Sequence, residues 1–181
     1  AIQPLYSVLP ARYNKSYGAR VCHLFCYMCP PYMSQVIIVS NRLPVSVKKD
    51  NGQLSFYPSL GGLATGLASY IEDSKNKWIG WPGIASDELT ADDRQVIVHE
   101  LAKHNCSPVF LSRREIDNFY NGYSNTVLWP QFHTLAKQRN VKAEERERWW
   151  SSYRSVNRQF SQAALNIGET GDRIWVHDYQ L

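Results

Sequence analysis

Apolar residues occur along the chain in two patterns. Some form short continuous runs, and others recur every three to four residues over a longer segment. The runs predict buried strands at 36–40, 78–81, 109–111 and 173–177, because a strand covered on both faces of a sheet is apolar throughout. The three-to-four spacing predicts a long helix over 143–167, since it places apolar side chains on one helical face. Strands that alternate with helices predict an α/β fold with a Rossmann-like doubly wound parallel sheet.

Turn and capping residues locate the shorter elements. Asn51-Gly52 between two apolar runs predicts a hairpin, because this pair tolerates the positive φ angles of a tight turn. Thr90 followed by Asp93 predicts a capping box that opens a helix to about residue 104. Two separate short helices are predicted at 114–120 and 127–133.

Length and composition are those of one globular domain. The chain has 181 residues, of which 44% are hydrophobic and 20% charged, with a net charge of +4. No stretch approaches the roughly 18–20 apolar residues of a membrane span. The first 32 residues contain three basic residues and no acid, which leaves the remainder at +1. This near-neutral remainder predicts no nucleic-acid partner and no membrane partner.

Residues 1–32 differ in character from the rest of the chain. They hold Cys22, Cys26 and Cys29, whereas only Cys106 lies beyond them. We predict a leader at 1–32, unstructured or non-native, and a domain at 33–181. The leader is either sequence upstream of a start at Met33 or a targeting peptide. The three cysteines have the spacing of a radical-SAM iron–sulfur motif, but no matching context follows, so no metal site is predicted.

Two segments have the chemistry of phosphate binding. Arg42 follows the first strand, where such sheets bind ligands, and its guanidinium can donate two parallel hydrogen bonds to a phosphate. The alternative is a surface arginine in a loop. Gly61 and Gly62 open a helix, so their backbone N–H groups can form an anion cradle. The alternative is a tight turn.

Segment 119–133 is dense in aromatic and amide side chains, which suit a sugar. Sugar contacts are predicted for Tyr120, Asn125 and Trp129. Positions expected in the core instead are Phe119, Leu128 and Phe132. His177 and Asp178 end the last strand, where they can orient hydroxyls or exchange protons. The alternative for Asp178 is to cap a following helix.

Five blocks occur in an order that resembles a known family: SNRLPV at 40–45, GGL at 61–63, WIGWPG at 78–83, YNGYSN with LWP and FH at 120–133, and VHDYQL at 176–181. Over residues 35–181 the chain resembles the amino-terminal part of the α,α-trehalose-phosphate synthases (UDP-forming). The resemblance implies the incomplete amino-terminal half of a GT-B glycosyltransferase. The implied reaction is the retaining transfer of glucose from UDP-glucose to glucose 6-phosphate, which gives α,α-trehalose 6-phosphate and UDP.

The resemblance also implies roles for single residues. Arg42 would hold the acceptor phosphate, and Asp178 would bind the acceptor and act as the catalytic residue. The other acceptor-binding positions would be Trp81, Tyr120 and Trp129. Gly61 and Gly62 would line the diphosphate of the donor.

The resemblance implies no cofactor and no metal beyond the co-substrate UDP-glucose. The full-length form is a candidate homo-oligomer. We also expect a cytoplasmic location, because the sequence shows no signal peptide and no paired cysteines beyond residue 32. The carboxyl half of the family, which carries the basic residues for UDP, lies outside the chain, so the fragment alone is expected to be inactive. Two alternatives stay open: a non-catalytic sugar-phosphate-binding or regulatory subunit, and a glucosylglycerol-phosphate synthase with a different acceptor.

Overall fold

The structure is a computed structural model that describes residues 35–59, 62–63, 65–67, 75–133 and 141–181. The predictions for the leader at 1–32, including its three cysteines, lie outside the described residues. No helix within the described ranges is long and apolar enough to cross a membrane.

Four parallel strands form the central sheet: β1 (Val36–Arg42), β4 (Lys77–Trp81), β5 (Cys106–Pro108) and β6 (Arg173–Val176). Their order is β5-β4-β1-β6, with every pair parallel. The apolar run at the start of β1 is 0–6% exposed, because helices and loops cover both faces of the sheet. The predicted doubly wound parallel sheet is confirmed.

The predicted hairpin is also present. It consists of the antiparallel strands β2 (Val45–Asp50) and β3 (Gln53–Pro58). Asn51 has a φ angle of 49° and Gly52 one of 81°, which are the left-handed angles that a two-residue hairpin turn requires.

Two α-helices pack on the sheet. Helix α1 (Ala91–Ala102) opens with the predicted capping box, in which Thr90 and Asp93 each accept a backbone N–H of the other. A helix at Ala143–Ile167 has the predicted bounds. It packs on the sheet through the buried residues Val156, Phe160 and Ala164.

The predicted pair of short helices is wrong, because one helical run spans this region. The run comprises α2 (Arg113–Glu115), a π-helix at Ile116–Leu128 and α3 (Trp129–Phe132). The long helix at Ala143–Ile167 is called α4. A Cβ on Gly122 would lie 2.6 Å from the Trp149 ring. Gly122 therefore allows close packing against α4 and does not end the helix.

Two further expectations are corrected. The third sheet strand lies at Cys106–Pro108 rather than at 109–111; Val109 and Leu111 are buried in the loop that follows it. Phe119 is fully buried as expected, whereas Phe132 is 64% exposed and does not join the core.

The amino end of the sheet is closed by hydrogen bonds. The Asp172 carboxylate accepts from the Gln35 backbone N–H (3.1 Å), the Gln35 amide (2.7 Å) and the Glu169 N–H (2.8 Å). The Asn76 Oδ1 accepts from the Val36 N–H at 2.8 Å. At the side of the sheet, strand β6 is an edge strand, and its apolar residues are about half exposed.

Candidate functional site at the carboxyl end of the sheet

Arg42 and Trp81 lie side by side at the carboxyl end of the sheet. The parallel register of β1 and β4 pairs these two residues, and the Arg42 guanidinium carbon lies 4.5 Å from the centroid of the Trp81 ring. The ring is held in place because its Nε1–H donates to the Ile84 carbonyl at 2.8 Å. Trp81 is only 6% exposed, so its ring forms a platform that orients the guanidinium.

Gly83 leaves space for the same guanidinium, a role that the sequence did not indicate. Its φ angle is +91°, and a Cβ at this position would lie 2.7 Å from the Arg42 Nη1. Glycine is therefore needed for both the backbone angle and the space that the arginine occupies. The Trp-Pro-Gly sequence indicated a turn, but the contact with Arg42 depends on the tertiary packing.

Polar contacts anchor the backbone that carries Arg42. The register of β1 is irregular between Val39 and Arg42, a distortion typical of strand ends near binding sites. Ser40 Oγ donates to the Arg42 carbonyl at 2.7 Å and accepts from the Trp78 Nε1–H at 2.7 Å. This network positions Arg42 through its main chain and leaves the guanidinium free of hydrogen bonds to the described residues.

Asp178 follows β6 in a strained backbone conformation. The His177 N–H donates to the Val39 carbonyl at 2.8 Å, which continues the pairing of β6 with β1. Asp178 then has a φ angle of +74°, and its carboxylate accepts the Tyr179 N–H at 2.8 Å. No helix begins at Asp178 within the described residues, and its side chain is exposed. The carboxylate therefore faces solvent at the carboxyl end of the sheet, and its alternative role as a helix cap stays a prediction.

Tyr179 joins the strand end to the helical run. Its hydroxyl donates to the Asn125 Oδ1 at 2.7 Å, and its ring lies 5.3 Å from that of Trp129. Partial burial raises the pKa of Tyr179, with smaller contributions from the nearby Asp178 and Tyr120. The structure thus brings Trp129 and Asp178 beside Tyr179, whereas Tyr120 is half-buried and packs against the core. The sequence did not predict the contact between Tyr179 and Asn125, because these residues are 54 positions apart along the chain.

Several buried polar atoms in the same region have no partner. Four such atoms find no hydrogen bond within the described part of the chain: Asn41 Oδ1, Ser124 Oγ, His177 Nε2 and Gln180 Oε1. Asn41 is the last residue but one of β1, and His177 and Gln180 follow β6. A buried polar atom without a partner is costly, so their concentration here is typical of a surface that a polar ligand completes.

The two glycines predicted to bind the donor are only partly described. Gly61 lies outside the described residues. Gly62 lies in a short exposed helical segment, and a Cβ added to it would meet nothing within 4 Å. The described residues therefore supply no steric reason for glycine at position 62, and no contact brings it to Arg42.

Metal and thiol chemistry find no support in the described residues. No group of three or more His, Cys, Asp or Glu side chains lies close enough there to hold a metal ion. Cys106 is buried, and this burial raises its pKa to about 12. The thiol is therefore protonated at neutral pH and is a core side chain rather than a nucleophile.

Comparison with known proteins identifies relatives over nearly the whole described chain. Residues 34–181 match the family described as Glycosyltransferase family 20. An α,α-trehalose-phosphate synthase [UDP-forming] of Botryotinia fuckeliana is 37% identical over 153 residues. That alignment covers 84% of this chain and 28% of the relative, so the chain spans less than a third of the relative's length.

Two solved structures share the fold. A UDP-forming α,α-trehalose-phosphate synthase from Burkholderia xenovorans in complex with glucose-6-phosphate is 28% identical, with a TM-score of 0.55, over 82% of this chain and 29% of that chain. A trehalose-6-phosphate structure from E. coli bound with UDP-2-fluoro glucose is 27% identical, with a TM-score of 0.56, over 82% of this chain and 28% of that chain.

Proposed function

The chain belongs to glycosyltransferase family 20, and we propose that it is the acceptor-binding part of a UDP-forming α,α-trehalose-phosphate synthase. The full-length enzyme transfers glucose from UDP-glucose to glucose 6-phosphate, which gives α,α-trehalose 6-phosphate and UDP. In this proposal residues 33–181 form the amino-terminal Rossmann-like domain of a GT-B enzyme, and residues 1–32 are a leader outside it.

The observation that carries the proposal is the orientation of Arg42. Its guanidinium lies against the Trp81 ring and above Gly83 at the open end of a parallel sheet. A guanidinium held in this way can donate two parallel hydrogen bonds to one phosphate. We assign it to the 6-phosphate of the acceptor, the group by which the B. xenovorans ligand differs from plain glucose.

The remaining side chains suit the sugar of the acceptor. The Trp129 ring is 41% exposed and stacks on the His133 ring with 3.5 Å between the centroids, and we propose that its exposed part contacts the sugar. We also propose a sugar contact for Tyr120, whose half-buried ring packs against the core. The exposed Asp178 carboxylate can accept a hydrogen bond from an acceptor hydroxyl and can orient that hydroxyl toward the anomeric carbon. This positioning makes Asp178 the catalytic residue of the proposal.

The donor would approach from the side of Gly61 and Gly62. A backbone without side chains allows a diphosphate to approach the N–H groups closely, and Gly62 has the open space for such an approach. We propose that basic residues of the carboxyl half neutralise the leaving UDP, without a metal or other cofactor. We further propose a cytoplasmic location and expect a homo-oligomeric full-length enzyme.

The test is product formation by the full-length protein. With UDP-glucose and glucose 6-phosphate, mass spectrometry should detect trehalose 6-phosphate and equimolar UDP. The purified 181-residue chain should form neither product. Product from glycerol 3-phosphate in place of glucose 6-phosphate would favour the glucosylglycerol-phosphate synthase. A folded full-length protein that binds glucose 6-phosphate without turnover would favour the regulatory subunit.

A further inference from the structure

An arginine-rich groove lies along α4 and α2, on residues that the proposed reaction does not use. Three adjoining hollows of about 610, 290 and 250 Å³ form it. The side chains that define this arginine groove are Arg114, Arg148, Ser151, Arg154, Ser155 and Arg158. We propose that the arginine groove binds an acidic segment of a partner protein.

The helical spacing aligns the groove side chains. Ser151, Arg154, Ser155 and Arg158 stand at the i, i+3, i+4 and i+7 positions of α4, so they share one face of the helix. From Arg148 to Arg158 this face is about 15 Å long at 1.5 Å per residue. Such a row fits an extended chain segment better than a compact metabolite.

Three of the groove arginines have no ion-pair partner among the described residues. Arg114, Arg154 and Arg158 form no ion pair there, and Arg148 makes one long contact of 3.4 Å with Glu145. Arg154 has in addition only a distant stacking contact, 6.0 Å from the Trp150 ring. The exposed guanidinium groups are therefore available to outside carboxylates.

The neighbouring acids are already engaged elsewhere. Glu115 accepts from Ser112 and from the Gln159 amide, and Asp117 accepts from the Asn121 amide. Both carboxylates nevertheless line the groove beside Arg114 and Arg148, so the hollow without an acidic residue is the one lined by Arg154 and Arg158. The groove thus presents positive charge together with serine hydroxyls, which is the donor set that pairs with carboxylates and backbone carbonyls.

Shape and charge favour a peptide over a nucleic acid. The groove is open to solvent along its length, unlike a pocket that encloses a small ligand. At one end it includes Asp87 and Asp117, which would repel a strand with a phosphate at every nucleotide. A peptide can place a neutral or basic residue there while its acidic residues contact the arginines.

The test uses the 181-residue chain and a fluorescein-labelled synthetic peptide with four glutamates that alternate with serine. Fluorescence anisotropy should show binding that weakens with added salt, and the same peptide with glutamine for glutamate should not bind. Arg154→Gln together with Arg158→Gln should weaken binding about ten-fold or more, since two charge-assisted contacts are lost. Circular dichroism should show an unchanged fold.

A matched control removes the same charge elsewhere. Arg146→Gln together with Arg173→Gln changes two exposed arginines outside the groove, and peptide affinity should fall less than two-fold. Equal weakening by both double variants, or no binding of the acidic peptide, would overturn the proposal. Tighter binding of a single-stranded oligonucleotide than of the peptide would assign the groove to nucleic acid instead. The result is independent of the trehalose-phosphate synthase activity.

Discussion

The two ends of the central sheet treat their polar groups in opposite ways. At the amino end, Asp172 and Asn76 together accept four hydrogen bonds and join three segments of the chain. At the carboxyl end, Asn41 and His177 each bury a polar atom that has no partner among the described residues.

Backbone strain does not distinguish the two ends. Positive φ angles occur before β5 and β6, at Asn105 and Gly171, and also after β4 and β6, at Gly83 and Asp178. The unsatisfied buried groups do distinguish them, because such groups cost stability and persist where a function requires them. The amino end is therefore a structural closure, whereas the carboxyl end is shaped for a ligand. Substitutions at the two ends should therefore separate stability from activity.

The largest effect is expected at Arg42 in the full-length enzyme. Arg42→Ala should raise the KM for glucose 6-phosphate about ten- to a hundred-fold, since a charge-assisted contact contributes roughly 1.5–3 kcal/mol. The kcat should be largely kept if the contact is equal in the ground and transition states. Steady-state kinetics with each substrate varied separately would measure this.

Arg94→Ala is the matched control for Arg42. Arg94 also lies over an aromatic ring, 5.9 Å from the centroid of Phe110, but on α1, and its removal should leave both KM values unchanged. An unchanged acceptor KM in a folded Arg42→Ala enzyme would remove the phosphate-binding role. A raised KM for UDP-glucose would assign Arg42 to the donor.

At the amino end of the sheet, Asn76→Ala should destabilise the 181-residue chain. The variant leaves the buried Val36 N–H without its acceptor, which costs about 1–3 kcal/mol. Urea unfolding followed by circular dichroism would measure the loss. A change below about 0.5 kcal/mol, the usual range of surface substitutions, would contradict the closure role.

At the carboxyl end of the sheet, Asn41→Leu should not destabilise the chain. Asn41 is 6% exposed and its Oδ1 has no partner among the described residues, so an apolar side chain of similar size should leave stability unchanged or raise it. In the full-length enzyme the acceptor KM should rise by up to about ten-fold if Asn41 bonds the ligand. A loss of stability as large as that of Asn76→Ala would contradict the claim that the carboxyl end is shaped for a ligand rather than for stability.

The smallest effect concerns the stability of the fold at low pH, through Asp172 at the amino end of the sheet. Hydrogen bonds from the Gln35 amide and the Glu169 N–H hold the pKa of the Asp172 carboxyl below its ordinary value of 3.8. The folded state therefore favours the carboxylate, whose stabilisation is fully present above about pH 4 and is lost as the pH falls through the lowered pKa. Melting temperatures between neutral and acidic pH should decline less steeply for Asp172→Asn than for the parent chain. Asp50→Asn, which changes an exposed carboxyl on the hairpin, should leave the melting temperature at neutral pH unchanged.

Local patterns in the sequence predict most of the fold. The bounds of α4 follow from its apolar period, and the hairpin follows from Asn51-Gly52, because both signals are carried by adjacent residues. The strand β5 is misplaced for a tertiary reason. It is a sheet edge that accommodates Ser107 and Pro108, while the more apolar residues after it fill the core from a loop.

The site is less predictable than the fold. The position of Arg42 after a strand indicates a ligand contact, and the aromatic density indicates a sugar. The Trp81 platform, the space above Gly83 and the Tyr179–Asn125 hydrogen bond join residues that are distant in sequence. Gly122 shows the same limit, since only its contact with Trp149 explains why a glycine continues a helix there.

The exposed edge strand β6 affects how the chain behaves at high concentration. Ile174 and Val176 are each 51% exposed, and they lie on an edge strand of the described sheet. Such an edge is a template on which a second molecule can add a strand. The 181-residue chain should therefore self-associate through this edge, and Ile174→Lys should oppose that aggregation.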